Sequence, residues 1–291
     1  MKRLPLKQIL LQPKKVSISS LELRERSRDV IEKARQLLRD ASEGLVFEPV
    51  EHRYALGERE MESVSEIIKE YAPFDSEKVA EGCSRNPKHE HFGKSVQEIL
   101  DIWTEKKNTA AQAGTQVHEF GEACCLYWEG NLNEIPEHYR CRILPEGFLA
   151  ETPKEKAMVK WWNDLDPDRY CVVAMETRIV NPVLGYAGTF DLLLYDMVSM
   201  RFVLADYKTN EDLHKWYGGY MRTPLNMLKS SDIGKYTMQQ NMYGIQLDNI
   251  GVKTEDMFLI WLKADGDYEQ VTLENKYRKV ITYALSKRLE S

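Results

Sequence analysis

A chain of 291 residues, 43% hydrophobic and 30% charged, has globular composition and enough length for one large domain or two small ones. It contains no run of eighteen apolar residues, which excludes a membrane-spanning helix of the usual kind, and its basic N-terminus lacks the continuous apolar stretch of a secretory signal. The formal net charge of −6 is unevenly spread. Residues 1–39 hold eleven Lys and Arg against Glu22, Glu25, Asp29 and Glu32, so a negative total does not exclude a nucleic-acid partner.

The five cysteines, Cys83, Cys124, Cys125, Cys141 and Cys171, are odd in number and irregular in spacing. That argues against a disulfide framework and for an intracellular, reducing compartment. No C-x-x-C pair occurs, so no structural zinc site is expected.

Pro5 and Pro13 make residues 1–20 an arm, and 21–43 read as a charged helix ending near Gly44. Val46 to Leu56 reads as a short hairpin with Gly57 at a turn, and Ser63 to Tyr71 as a helix that stops before Pro73. Gly82, Pro87 and Gly93 punctuate a polar segment, 75–93, which is expected to be irregular. Residues 95–129 form the longest helical stretch, with Val96, Ile99, Leu100 and Trp103, then Val117, Phe120 and Cys124, at helical spacing. Gly114 is a candidate point of division. Residues 131–153 read as an insert and 154–165 as a helix. Three strands follow, Tyr170–Val180, Tyr186–Tyr195 and Arg201–Tyr207, rich in aliphatic, aromatic and β-branched residues. Gly234–Asp248 returns to helical spacing, Met257–Lys263 and Tyr268–Leu273 read as strands, and 274–290 as a closing helix. The expected class is α/β, a central mixed sheet flanked by helices. The expected division is a mostly helical N-terminal extension, 1–93, and a main domain, 94–291.

The chemistry gathers where the second and third of those strands end. Residues two apart on a strand share a face, so Asp206 and Lys208 point together and Tyr207 points away. If these strands are hairpin partners, Asp191 lies beside Asp206. Carboxylates at the edge of an apolar core need a counter-charge, and a divalent cation such as Mg²⁺ or Mn²⁺ supplies one. Lys208 beside it can orient a nucleophile or neutralise developing charge. A bare D-x-K is common, and an ordinary ion pair would explain it. What shifts the balance is the upstream Asp191 and a helix carrying His118 and Glu122, four apart on one face. Glu176, in the middle of the first strand, either approaches the same centre or pairs with an arginine.

These residues resemble a known family. Gly114-Thr115-Gln116-Val117-His118 with Glu122 resembles the GT-x-x-H-x-x-x-E motif of RecB-like nucleases of the PD-(D/E)XK superfamily. Gly188-Thr189-Phe190-Asp191 resembles their G-x-x-D motif, Asp206-Tyr207-Lys208-Thr209 their D-x-K-T motif, and Gln239 with Tyr243 their Q-x-x-x-Y motif. The four stand in the family's order over roughly residues 110–245. The segment FEPVEHRYALGEREMESVSEIIKEY also looks like the lead-in of stand-alone members, mitochondrial and phage-type exonucleases among them. The resemblance implies a PD-(D/E)XK core and metal ligation by His118, Asp191 and Asp206 with the Tyr207 carbonyl. It makes Lys208 the catalytic lysine and gives Gln239 and Tyr243 a role in placing DNA. Glu176 is a further candidate ligand, and Glu122 and Thr209 stand as supporting groups. Some relatives hold an iron–sulfur cluster on three cysteines after the nuclease core. No cysteine follows Cys171, so no cluster is expected, and no Gly-x4-Gly-Lys-Ser/Thr loop is present for ATP.

The loop 211–235 mixes charge with rings, through His214, Lys215, Trp216, Tyr217, Tyr220 and Arg222. Lys215, Trp216 and Arg222 are candidate DNA contacts, against the alternative of a surface loop packed on the core. The leading expectation is a metal-dependent exonuclease acting on single-stranded DNA or DNA ends, in replication, recombination or repair and alongside proteins of those processes. The alternatives are a structure-selective endonuclease and a non-catalytic DNA-binding assembly factor on a nuclease scaffold.

Overall fold

The computed structural model describes residues 9–49, 51, 53–216 and 218–290. Residues 1–8 of the basic arm, Val50 and His52 of the hairpin, Tyr217 of the long loop and Ser291 lie outside the described residues. The chain begins with a two-residue strand, β1 (Leu10–Leu11), and a 22-residue helix, α1 (Leu21–Ser42). Strands β2 (Leu45–Glu48), β3 (Arg53–Leu56) and β4 (Arg59–Ser63) lead to helices α2 (Val64–Tyr71), α3 (Ser76–Arg85) and α4 (Val96–Glu129). The expected insert folds as α5 (Glu137–Arg140), β5 (Ile143–Leu144) and β6 (Gly147–Leu149), before α6 (Pro153–Asp164). Then come β7 (Tyr170–Asn181), β8 (Tyr186–Asp196), β9 (Arg201–Lys208), α7 (Asp232–Asn249), β10 (Thr254–Leu262), β11 (Tyr268–Leu273) and α8 (Arg278–Glu290).

Three expectations change. The segment 75–93 is not irregular throughout, because Asp75 accepts a hydrogen bond from the Lys78 N–H and caps α3. Only Ala80 of that helix is buried, so its apolar period is too faint to show in the sequence. Gly114 does not divide α4, which runs unbroken for 34 residues from a Ser95–Glu98 capping box to a left-handed Gly130. The apolar stripe of α4 is confined to its two ends, and between residues 104 and 116 only Gly114 is even half-buried. The hairpin also gains a third strand, β4, which pairs antiparallel with β3 and parallel with β8.

The main sheet has eight strands in the order β11-β10-β9-β8-β4-β3-β2, with β7 also on β8. It is mixed: β9 with β10 and β4 with β8 run parallel, and the other pairs antiparallel. One face packs against α1, α2, α7 and α8 through residues such as Ile67, Phe190, Leu204, Met242 and Ile281. The other packs against α4 and α6 through Phe120, Met158, Trp162, Leu192 and Ile260. Helices therefore cover both faces. β1, β6 and β5 form a separate three-stranded sheet that closes over the α4–α6 side.

The site depends on how β8 shares its edges. β7 runs along one edge from Tyr170↔Asp196 to Asn181↔Tyr186. The other edge is divided: β9 pairs from Asp196↔Arg201 to Leu192↔Ala205, and β4 pairs at Tyr186 and Ala187. Residues 188–191 lie between these two partners, where the sheet forks.

Two glycines make opposite demands. A Cβ on Gly114 would meet only Thr209 Oγ1, at 3.5 Å, an ordinary contact, whereas one on Gly234 would clash with the Lys229 carbonyl oxygen. Gly114→Ala is expected to raise stability by about 0.5–1 kcal/mol through helix propensity. Gly234→Ala is expected to lower it by about 1–3 kcal/mol through overpacking. Urea denaturation of both variants checks the signs.

Candidate metal centre

At the fork, the Asp191 carboxylate takes the place of a strand. β9 pairs with β8 only as far as Ala205, and the next free N–H, that of Tyr207, donates to Asp191 Oδ2 at 2.8 Å. β9 meanwhile keeps its parallel pairing with β10 out to Trp261↔Lys208, so it continues straight while β8 diverges. Asp206 and Lys208 are thus held at the end of a well-anchored strand beside Asp191.

His118 reaches the same point from α4. Its Nδ1 lies 3.3 Å from Asp191 Oδ2 and 3.6 Å from Glu176 Oε1. The helix comes this close because residue 121 is glycine: a Cβ there would stand 2.9 Å from Met158 Cε and 3.1 Å from the Tyr207 ring. The Tyr207 ring packs in that space, edge-on to His118 at 6.0 Å between centroids. Glu176 owes its position to a backbone kink. Its φ of +40° is rare for any residue but glycine, and it sits where the β7–β8 ladder omits one pair, between Met175↔Leu192 and Thr177↔Phe190. One ligand atom each from His118, Glu176 and Asp191 lie within 4.8 Å of one another.

Lys208 closes the other side. Its ammonium contacts the Asp206 carboxylate and lies 4.4 Å from the centre of the Tyr236 ring. Asp191 and Asp206 are 7% and 1% exposed. Burial pushes both carboxyls up: that of Asp191 despite the opposing charge of His118, and that of Asp206, with repulsion from Asp191, to about 6. Burial disfavours charge on His118, yet attraction to Asp191 and the bond to Glu176 outweigh it and push the imidazole up to about 9. Lys208 is likewise driven up by Asp206 and Asp191 against the cost of burial. Glu122, raised to about 7 by burial and then by Glu176, faces the cleft one helical turn from His118.

The structure brings together most of the expected set, with one change of partner. His118, Glu176 and Asp191 form the close cluster, and Asp206 is engaged by Lys208 rather than gathered with those three. The Thr209 carbonyl takes the Lys154 ammonium, and the Thr209 hydroxyl lies against Gly114, one turn before His118 on α4. Gln239 and Tyr243 line a cleft of about 500 Å³ together with Glu122 and Glu176, and Gln239 Nε2 donates to the Tyr243 hydroxyl at 3.4 Å. Gly188 is required there, because a Cβ would meet Tyr243 Cε1 at 2.7 Å. Lys215, Trp216 and Arg222 line no part of this cleft.

No family model matches this chain, and no curated protein matches it. The geometry therefore carries the functional reading. It adds residues that sequence reasoning passed over as site groups: Tyr236 beneath Lys208, Arg178 in the cleft wall, and Tyr54, whose hydroxyl hydrogen-bonds Thr189 Oγ1 at 3.2 Å. Arg178 stands two residues beyond Glu176 and Tyr236 three before Gln239, so strand and helix periods respectively could have found them.

The donors suit a hard divalent ion. An ion bound there would displace the proton that the carboxylates hold on His118, and Glu176, Asp191 and Asp206 would then set three negative charges against the one positive charge of Lys208, a difference equal to the charge of one such ion. The kink at Glu176 gives a test independent of any ligand. Glu176→Ala keeps the strained φ and Glu176→Gly relieves it, so the glycine variant is expected to be the more stable of the two by about 1 kcal/mol. Equilibrium denaturation of the pair reads this directly. An alanine variant as stable as the glycine variant would mean that the kink stores no strain.

Proposed function

We infer that this protein is a divalent-metal-dependent deoxyribonuclease with a PD-(D/E)XK-type core, hydrolysing phosphodiester bonds from the ends of single-stranded DNA. The observation that carries this reading is the convergence of His118, Glu176 and Asp191 beside a buried Asp206–Lys208 pair, where the pairing of β8 with β9 ends. The motif order in the sequence supports it. The mixed sheet with helices on both faces is compatible with that core, and no described helix is long and apolar enough to cross a membrane.

His118, Glu176 and Asp191 would hold Mg²⁺ or Mn²⁺, with Asp206 as the adjoining carboxylate. Such an ion, when bound, acidifies a water and offsets charge on the scissile phosphate. The chain's own groups do the rest. Lys208, kept protonated by Asp206, Asp191 and the Tyr236 ring, presents an ammonium that orients the attacking oxygen and neutralises charge developing on the phosphate. Asp191, fixed by the Tyr207 N–H, holds its carboxylate in one orientation. Gln239 and Tyr243 offer an amide and a hydroxyl to the strand in the cleft.

Lys208→Ala and Asp206→Asn are expected to reduce Mg²⁺- or Mn²⁺-dependent degradation of end-labelled linear single strands by at least about 10²-fold. Far-UV circular dichroism should show the fold retained. A circular single strand should survive the wild-type protein. Full activity in both variants would overturn the assigned site, and rapid cutting of the circle would replace the exonuclease reading with an endonuclease.

A further inference from the structure

A second groove, of about 580 Å³, opens off the catalytic cleft between α2 with its exit turn, the middle of α4 and the start of α7. The groove and the cleft share Ser65 and Gln239. Tyr236, the ring that carries the Lys208 ammonium, also lines the groove, so one wall of the groove adjoins the proposed reaction centre.

The groove's charge is opposite to that of the molecule. Lys69, Lys107 and Lys235 line it and no carboxylate does, in a chain of net charge −6. Lys69 and Lys107 are exposed and make no ion pair among the described residues, while Lys235 makes one 3.5 Å contact with Asp232. Three ammonium groups around one groove with no carboxylate give it a positive local potential, which favours an anion there. Helix α4 is two-sided here. Residues two apart on a helix differ by about 200°, and Asp101 and Glu105 line a separate shallow cleft while Lys107 faces the groove. Phe74, in the turn after α2, is 67% exposed at the groove, with its ring 6.4 Å from that of Trp103. Unpaired ammonium groups beside an exposed aromatic face are the features that hold a single-stranded nucleic acid, by phosphate contacts and base stacking.

We propose that this groove binds the single strand adjoining the scissile phosphate, with Lys69, Lys107 and Lys235 on its phosphates and Phe74 stacked on an unpaired base. The proposal rests on the nuclease reading for the identity of the neighbouring cleft. It moves the strand contacts away from the loop between β9 and α7. There the Trp216 ring is already taken by Lys229, 4.5 Å away, and its indole N–H donates to the Gly219 carbonyl. It also gives selectivity a cause. A duplex keeps its base faces stacked on one another and offers none to Phe74.

The test is fluorescence anisotropy with a fluorescein-labelled oligothymidylate in EDTA, so that binding is read without cleavage. The Lys69→Ala/Lys107→Ala/Lys235→Ala variant is expected to bind at least tenfold more weakly. Its slope of log K against log salt should become shallower by about 2, at roughly 0.7 for each phosphate that a lysine no longer neutralises. Phe74→Ala should weaken binding about tenfold and Phe74→Trp restore it. Lys215→Ala/Arg222→Ala should bind like wild type, and a duplex of equal length should bind wild type more weakly. An unchanged affinity and salt slope in the triple variant, or equal affinity of wild type for duplex, overturns the proposal. Thermal unfolding of each variant accompanies the titrations, and the Phe74 pair separates loss of the ring from loss of the fold. Metal-dependent cleavage by wild type is scored separately. Groove-dependent binding with no cleavage keeps the groove and overturns the nuclease reading, and cleavage with unchanged binding in the triple variant does the reverse.

Discussion

The hydrogen bond from the Tyr207 N–H to the Asp191 carboxylate is the constraint on which the site depends. A backbone N–H at the centre of a sheet must be satisfied, and here a side chain does it where the neighbouring strand has turned away. That substitution lets β8 leave β9 and meet β4 without a buried orphan donor. Several local features accompany it. Asp206 and Lys208 extend past the last β8–β9 pair, Glu176 kinks out of β7 opposite Asp191, and Gly188 leaves room for Tyr243 at the fork.

Electrostatics then divide the surface around the fork into two parts. Three carboxylates, an imidazole and one lysine occupy a partly buried centre with an excess of negative charge, which favours a cation. Next to it three lysines surround a groove with no acid, which favours an anion. A phosphodiester substrate needs both: metal at the phosphate that reacts and positive charge along those that do not. The bare middle of α4 supplies one groove wall because its apolar contacts are concentrated at its ends, with Ile99 at one and Val117 to Trp128 at the other.

Much of this was legible in the residues. The alternation of β7, β8 and β9 and the period-two spacing of Asp206 and Lys208 described both the strands and the shared face. His118 was visible as the helical residue able to reach them. Less visible was what depends on distant partners. The parallel pairing of β4 with β8 joins residues more than a hundred positions apart, and no local pattern encodes it. The positive φ of Glu176 is imposed by the ladder around it, since nothing in its own chemistry favours that conformation. Helix α3 shows little apolar period because it buries one residue, and Gly114 reads as a candidate point of division in α4 because the apolar stripe is interrupted there. The groove lysines come from α2, α4 and α7, and only the packing of those helices brings them together.

The chemistry proposed for the fork requires a divalent cation held by His118, Glu176 and Asp191. The most direct measurement is a crystal structure of the protein soaked in Mn²⁺, with anomalous data to locate the ion. A single strong peak within ligand distance of His118, Glu176 and Asp191 is the result expected. A protein that takes up no manganese there, or binds it only at surface carboxylates away from the fork, would contradict it.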